Sequence, residues 1–192
     1  QISTLLNRAH NVSGVQIGLF NYADSASGLP LGLLSFVKNG VHQFELSSDE
    51  IFFANAGVRT GVRSFYNILS AGVRPGAGDV LWNVGYGAGT QVKIKEKLNA
   101  EFTATMHHVS SGKFYFATSE LYKFYLGLEY NLGKKICISG GPTFNLYWSD
   151  ALLPDYKSTY YHIAPYYTFN KELRNDFNLK GWYGLRVCLR FF

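Results

Sequence analysis

Residues 121–148 alternate apolar and polar side chains through two runs joined by a few residues. In the first run Tyr122, Phe124, Leu126, Leu128 and Tyr130 share one parity, and Lys123, Tyr125, Gly127, Glu129 and Asn131 share the other. In the second, Ile136, Ile138, Phe144, Leu146 and Trp148 oppose Cys137, Ser139, Thr143, Asn145 and Tyr147. A period of two is that of a β-strand, with the two parities on opposite faces. The same pattern predicts strands near 41–47, 51–60, 63–74, 80–94, 97–109, 120–132, 134–148 and 181–192. No segment carries a convincing helical period.

Two more strands, near 14–20 and 29–37, fall in a repeat. "NRAHNVSGVQIGLF" (7–20) and "NYADSASGLPLGLL" (21–34) match at a shift of fourteen residues. Asn7 aligns with Asn21, Ala9 with Ala23, Gly14 with Gly28 and Gly18 with Gly32. Counting both repeat strands gives ten. A stacked solenoid would instead place the two copies together, outside a smaller barrel.

The connections differ in length in a regular way. Short ones at 38–40, 60–62, 95–97 and 132–134 alternate with a set that includes 22–28, 75–79, 110–120 and the long 149–180. Short turns at one end and long loops at the other are a feature of outer-membrane barrels. Strands of 13–15 residues exceed the usual 5–6 of soluble sheets and suit a tilted membrane crossing. Aromatic residues stand near strand ends (Trp82, Tyr122, Tyr130, Trp148), as interfacial girdles require. The expected fold is an all-β, antiparallel transmembrane β-barrel of about ten strands, with eight to twelve as the range. It forms a single domain over 1–192, with long loops at the extracellular end. A soluble sandwich or lipocalin-like barrel is the alternative, because parity alone does not say which face is outside.

Composition narrows this. Charged residues are 16% of the 192, aromatics 17%, and no apolar stretch is long enough for a membrane helix. The formal charge of +5 is dispersed along strands and turns, so nucleic acid is not an expected partner. No export signal opens the chain at "QISTLLNRAH". An outer-membrane protein would have lost one, or it lies upstream.

"GVQIGLFNYADSASG" and "FFANAGVRTGVRSFYNILSAGV" resemble a family of bacterial outer-membrane proteins with Gly-x-Gln-Ile-Gly-Leu-type surface repeats. The likeness is clearest over 14–74. It implies location and fold, not activity. The last strand ends in Phe192, similar to the terminal aromatic read by barrel-insertion machinery, but the apolar parity of that strand is Tyr183, Leu185, Val187, Leu189 and Phe191.

Candidate chemistry is sparse. His107 and His108 are adjacent in a strand and point opposite ways, so they form no chelating pair, and no metal or other cofactor is expected. His108 and Ser110 share the outward parity. Lipid A deacylases of the small-barrel type carry a similar His-x-Ser on the outer face, where the base activates the serine beside lipid. Ser111 and Gly112 stand here where that family shows Asn-Ala. Lys93, Glu101, Lys123, Glu129, Arg186 and Arg190 lie on the inward parity, as a pore lining or as an interior ion-pair network. Tyr160, Tyr161, Tyr166 and Tyr167 in the long loop form either a recognition surface or a lid folded over the barrel mouth. Cys137 and Cys188 lie on the inward parity of strands expected to be neighbours, either as a disulfide or as two free thiols filling the interior.

The leading functional expectation is a non-enzymatic outer-membrane barrel serving as scaffold, surface adhesin or accessory subunit of a larger envelope complex. Its partners would be outer-membrane lipid, lipopolysaccharide and other outer-membrane proteins. A narrow pore, a lipid A-modifying enzyme using His108 and Ser110, and a soluble binding barrel are the alternatives.

Overall fold

The computed structural model describes residues 2–75, 80–111, 118–133, 135–150, 163–173 and 177–192. Among them there are fourteen strands and no helix. Five short strands come first: β1 (Leu6–Val12), β2 (Val15–Ile17), β3 (Phe20–Ala26), β4 (Leu29–Leu31) and β5 (Leu34–Val37). Then follow β6 (Val41–Asp49), β7 (Ala54–Val62), β8 (Phe65–Arg74), β9 (Leu81–Lys93), β10 (Leu98–Ser111), β11 (Ser119–Asn131) and β12 (Ile136–Asp150). The chain ends with β13 (Phe169–Glu172) and β14 (Phe177–Phe191).

The eight strands β6–β12 and β14 form a closed antiparallel barrel. Each pairs with the next, and β14 closes the ring by pairing with both β12 and β6. Ten strands is therefore corrected to eight. The eight are the strands marked by alternation beyond residue 40. The two repeat strands are outside the ring, and 22–28 is not a barrel loop. Closure removes the sheet edges. β6 is short, and its pairing with β14 stops at Arg186↔Asp49. Above that point β13 takes its place on β14, from Phe169↔Gly181 to Glu172↔Asn178. In the gap, the Glu50 carboxylate accepts from the Leu185 backbone N–H at 3.2 Å, Trp182 Nε1 at 2.9 Å and Asn145 Nδ2 at 2.8 Å.

The repeats stack in parallel at the fourteen-residue step, Asn7 on Asn21 and Asn21 on Ser35, and Val15 on Leu29. The reason lies in the repeated letters. Asn7 Nδ2 donates to Asn21 Oδ1 at 3.0 Å, and Asn21 Nδ2 donates to Ser35 Oγ at 3.2 Å and to the Leu31 carbonyl at 2.9 Å. A buried polar ladder of this kind needs hydrogen-bonding side chains in register, which an up-and-down meander would send to opposite ends. The glycine in each copy makes room: a Cβ on Gly18 would lie 2.5 Å from Asn7 Nδ2. Val12, Ala23 and Val37 form the apolar side of this small core, with Val62 of the barrel.

This solenoid sits on the outer wall of the barrel. His42, Thr60 and Asn67 form one cross-strand row facing outward. The Phe36 ring lies 4.3 Å from that of His42, and Tyr86 Oη donates to the Gly32 carbonyl at 3.0 Å. Elsewhere the outer wall is apolar and exposed, with Leu126, Leu128, Leu185 and Val187 each more than half exposed.

The two cysteines are free. The register pairs Cys137 with Arg190 and Ser139 with Cys188, so the thiols stand two positions apart. Diagonal neighbours of this kind have Cα atoms about 7–8 Å apart, beyond the reach of a disulfide. The disulfide alternative is thus corrected.

Candidate functional site

The barrel interior is closed by two layers. At the long-loop end, Leu81, Val109, Leu121, Tyr147 and Trp182 point inward and meet Ile51, Phe52, Ile163 and Ala164. Ile51 and Phe52 were expected in a strand. Instead their backbone N–H groups donate to Asp49 Oδ1 at 2.9 and 2.8 Å, a turn that folds both side chains into the mouth. Tyr167 packs edge-on against Trp182 with ring centroids 5.8 Å apart. Tyr166 is exposed, and its hydroxyl donates to the Tyr183 carbonyl. Tyr160 and Tyr161 lie outside the described residues.

Below this plug lies a charged layer. Arg190 donates from Nε to Glu45 at 2.6 Å, from Nη1 to Glu129 at 2.6 Å and from Nη2 to Glu101 at 2.7 Å. Arg59 donates to Glu101 at 2.7 Å and stacks on the Tyr66 ring, 4.1 Å from its centroid. Arg186 pairs with Glu45, and Lys123 with Asp49. Three arginines thus face three glutamates: Arg190 meets Glu45 on the neighbouring strand β6 and Glu101 and Glu129 on β10 and β11. Five of the six inward charges named from sequence come together here. Lys93 does not: it is exposed at the end of β9. Arg59, Glu45 and Asp49 complete the layer and were not singled out from sequence, though each sits on an inward parity of its strand. Glycines admit the large rings: a Cβ on Gly89 would lie 2.5 Å from the Tyr66 ring, and one on Gly127 would lie 2.2 Å from the Tyr125 hydroxyl. With carboxylates and guanidiniums paired across the full width, no steady ion current is expected in planar-bilayer recordings. Stepwise conductance from the purified protein would count against a sealed lumen.

The outer wall holds a different constellation. His108 and Ser110 lie on the outward face at the long-loop end of β10. His107 points inward, between Asn83 Oδ1 and Thr105 Oγ1, each 2.9 Å away. His108 is the direct cross-strand partner of Glu120 on β11. His108 Nδ1 and Glu120 Oε1 are 3.0 Å apart, both side chains about one-fifth exposed. Ser110 lies two residues along the same face, opposite Trp82, and is buried. Its hydroxyl makes no hydrogen bond among the described residues, so His108 and Ser110 are adjacent but not bonded in this state. A buried hydroxyl without a partner is costly and asks for an explanation. The residue types are those of a nucleophile, a base and a carboxylate, with His108 Nδ1 and Glu120 within hydrogen-bond distance and Ser110 two residues along the same face. Glu120 was not visible as a third member from sequence; the register across the 110–120 connection brings it to His108.

No protein-family model matches the chain, and no curated protein matches it.

Proposed function

We propose that this chain is an outer-membrane barrel with a sealed lumen whose chemistry lies on its outer wall, as a hydrolase of ester-linked acyl chains. The observation that carries the reading is the 3.0 Å Glu120–His108 contact beside the buried, unpartnered Ser110 hydroxyl. The barrel's exposed apolar belt supports a lipid environment, and its segregation of short turns from long loops supports the outer membrane. Ser110 faces the outer wall, so a substrate would approach it from the membrane and not through the lumen, and its burial means that neighbouring side chains must move to admit the ester. In this orientation the long-loop end meets the outer leaflet, so the substrate class is an acylated glycolipid such as lipid A.

The step balances as follows. Ser110 Oγ attacks the ester carbonyl carbon while His108 Nε2 takes its proton, and Glu120 at Nδ1 stabilises the charged ring. The ester C–O bond breaks and the sugar alcohol leaves with the proton from His108. Water, deprotonated by His108, then releases the fatty acid and restores Ser110. Purified protein mixed with lipid A in detergent should release free fatty acid. Ser110→Ala should lower that rate by roughly 10³-fold or more, the scale seen when a catalytic serine is removed. Equal release by Ser110→Ala would overturn the reading.

A second reading keeps the barrel as a scaffold or accessory subunit. The observation favouring it is β1, which forms the outer edge of the parallel sheet β1–β3–β5 and offers its backbone for strand addition. Stable co-purification of another envelope protein in mild detergent, lost on truncation before β3, would support it.

A further inference from the structure

The solenoid presents apolar side chains where a soluble solenoid would be polar. Leu5, Leu19 and Leu33 stack at fourteen-residue steps and are 64, 45 and 45% exposed. Its polar groups turn inward, where Asn7, Asn21 and Ser35 bond one another. At this end the solenoid is inverted, polar within and apolar without, whereas its other end has an apolar core of Val12, Ala23 and Val37.

Its position matches this. The coil carrying Gly32 meets Tyr86, seven residues before Lys93 at the end of β9. At about 3.3 Å per residue and a tilt near 40°, Tyr86 stands roughly 15–20 Å up the wall from that rim. The same outer face of β9 continues below it to Val92, which is 63% exposed, and beyond to Ile94. The solenoid therefore hangs within the apolar belt, not beneath it.

One face of the parallel sheet also changes character along its length. The first column is Leu6, Phe20 and Leu34. Two residues on, Arg8 lies over the Tyr22 ring at 5.8 Å, and Tyr22 stacks on Phe36 at 5.8 Å. Two residues further, His10 bonds Asp24 at 2.7 Å, and Lys38 follows. Aliphatic, aromatic-cationic, then charged is the order of a membrane from hydrocarbon through interface to water. The charged end lies next to Val41, where the chain enters the barrel at its short-turn end.

We propose that the N-terminal solenoid is itself immersed in the leaflet at the short-turn end, with its Leu5/Leu19/Leu33 ladder against lipid acyl chains and its His10–Asp24–Lys38 end in water. Parallel ladders pair the backbones of neighbouring coils; the open edge of β1 is the exception, a row of backbone groups that hydrocarbon tolerates only when another segment covers it. The proposal rests on the reading that the barrel spans a membrane, and is independent of the hydrolase chemistry.

Nitroxide labels at single introduced cysteines test it, in protein reconstituted into phosphatidylcholine vesicles. Cys137 and Cys188 are buried and stay unlabelled in the folded protein. The sites are Leu19→Cys and Leu33→Cys on the ladder, Leu126→Cys on the bare barrel wall, and Lys38→Cys at the charged end. Accessibility to molecular oxygen, which concentrates in lipid, is compared with accessibility to a water-soluble nickel chelate. The expected oxygen-to-nickel ratio at 19 and 33 equals that at 126 and is several-fold above that at 38. A high ratio at 126 with a low one at 19 and 33 overturns the proposal and leaves the spanning barrel intact. A low ratio at 126 overturns the spanning barrel, and the proposal with it. Exclusion of both reagents at 19 and 33 overturns it in favour of a second protein chain on that face.

Discussion

Arg190→Ala is expected to destabilise the barrel by about 3–5 kcal/mol, the usual cost of removing one member of a buried ion network. Arg190 is 1% exposed, and each nitrogen of its guanidinium serves a different glutamate. Without it, Glu45, Glu101 and Glu129 face only Arg59 and Arg186, inside a lumen where water is scarce. The penalty comes from the stranded carboxylates more than from the lost contacts. Arg190→Met combined with Glu129→Gln should therefore recover part of the loss. Denaturant unfolding in detergent micelles, followed by the heat-dependent gel mobility of the folded barrel, measures both. A double variant no better than Arg190→Met alone would show that charge balance is not what the layer supplies.

Glu120→Gln is expected to lower the turnover of lipid ester by roughly 10²–10⁴-fold, the range for a carboxylate that orients a catalytic histidine. On the proposed chemistry Glu120 is a positioning residue, acting through its 3.0 Å contact with His108 Nδ1. An amide offers its N–H₂ or its oxygen to the ring without fixing the charge or the tautomer. The loss should fall on kcat with KM nearly unchanged, because acyl-chain binding does not involve it. Glu120→Asp should recover part of the rate. The pair lies on the outer wall, about one-fifth exposed and outside the interior network, so folding yield should stay near the wild-type level. A proportional loss of folded protein, with unchanged turnover per folded molecule, would reduce the Glu120–His108 contact to a structural one.

Much of this architecture was legible from alternation alone. The eight barrel strands, the face each presents and the inward position of Glu101, Lys123, Glu129, Arg186 and Arg190 follow from parity, which a strand enforces residue by residue. What parity does not carry is register across a loop. Whether Glu120 meets His108 depends on how the chain returns after Ser111, and whether Cys137 meets Cys188 depends on a return of some thirty residues. One slip of two residues makes or breaks either pair. The repeats misled the strand count for a related reason. Alternation in "VQIGLF" reads as strand in a barrel and in a solenoid alike. Only the fourteen-residue identity, and the Asn7–Asn21–Ser35 ladder it builds, distinguishes parallel stacking from a meander. The alternation that predicts a strand over 51–60 does not reveal the turn at Ile51 and Phe52. Their inward fold depends on Asp49 accepting their backbone N–H groups, a local bond that competes with the ladder.

The claim on which the functional reading depends is that Ser110 is a nucleophile at the lipid-side wall. The most direct measurement uses a fluorophosphonate carrying a long alkyl chain, added to the folded protein in detergent, with the modified residue located by peptide mass spectrometry. A single adduct on Ser110, strongly reduced in His108→Ala, is the expected result. An unmodified Ser110, or an adduct that forms equally well without His108, would contradict it.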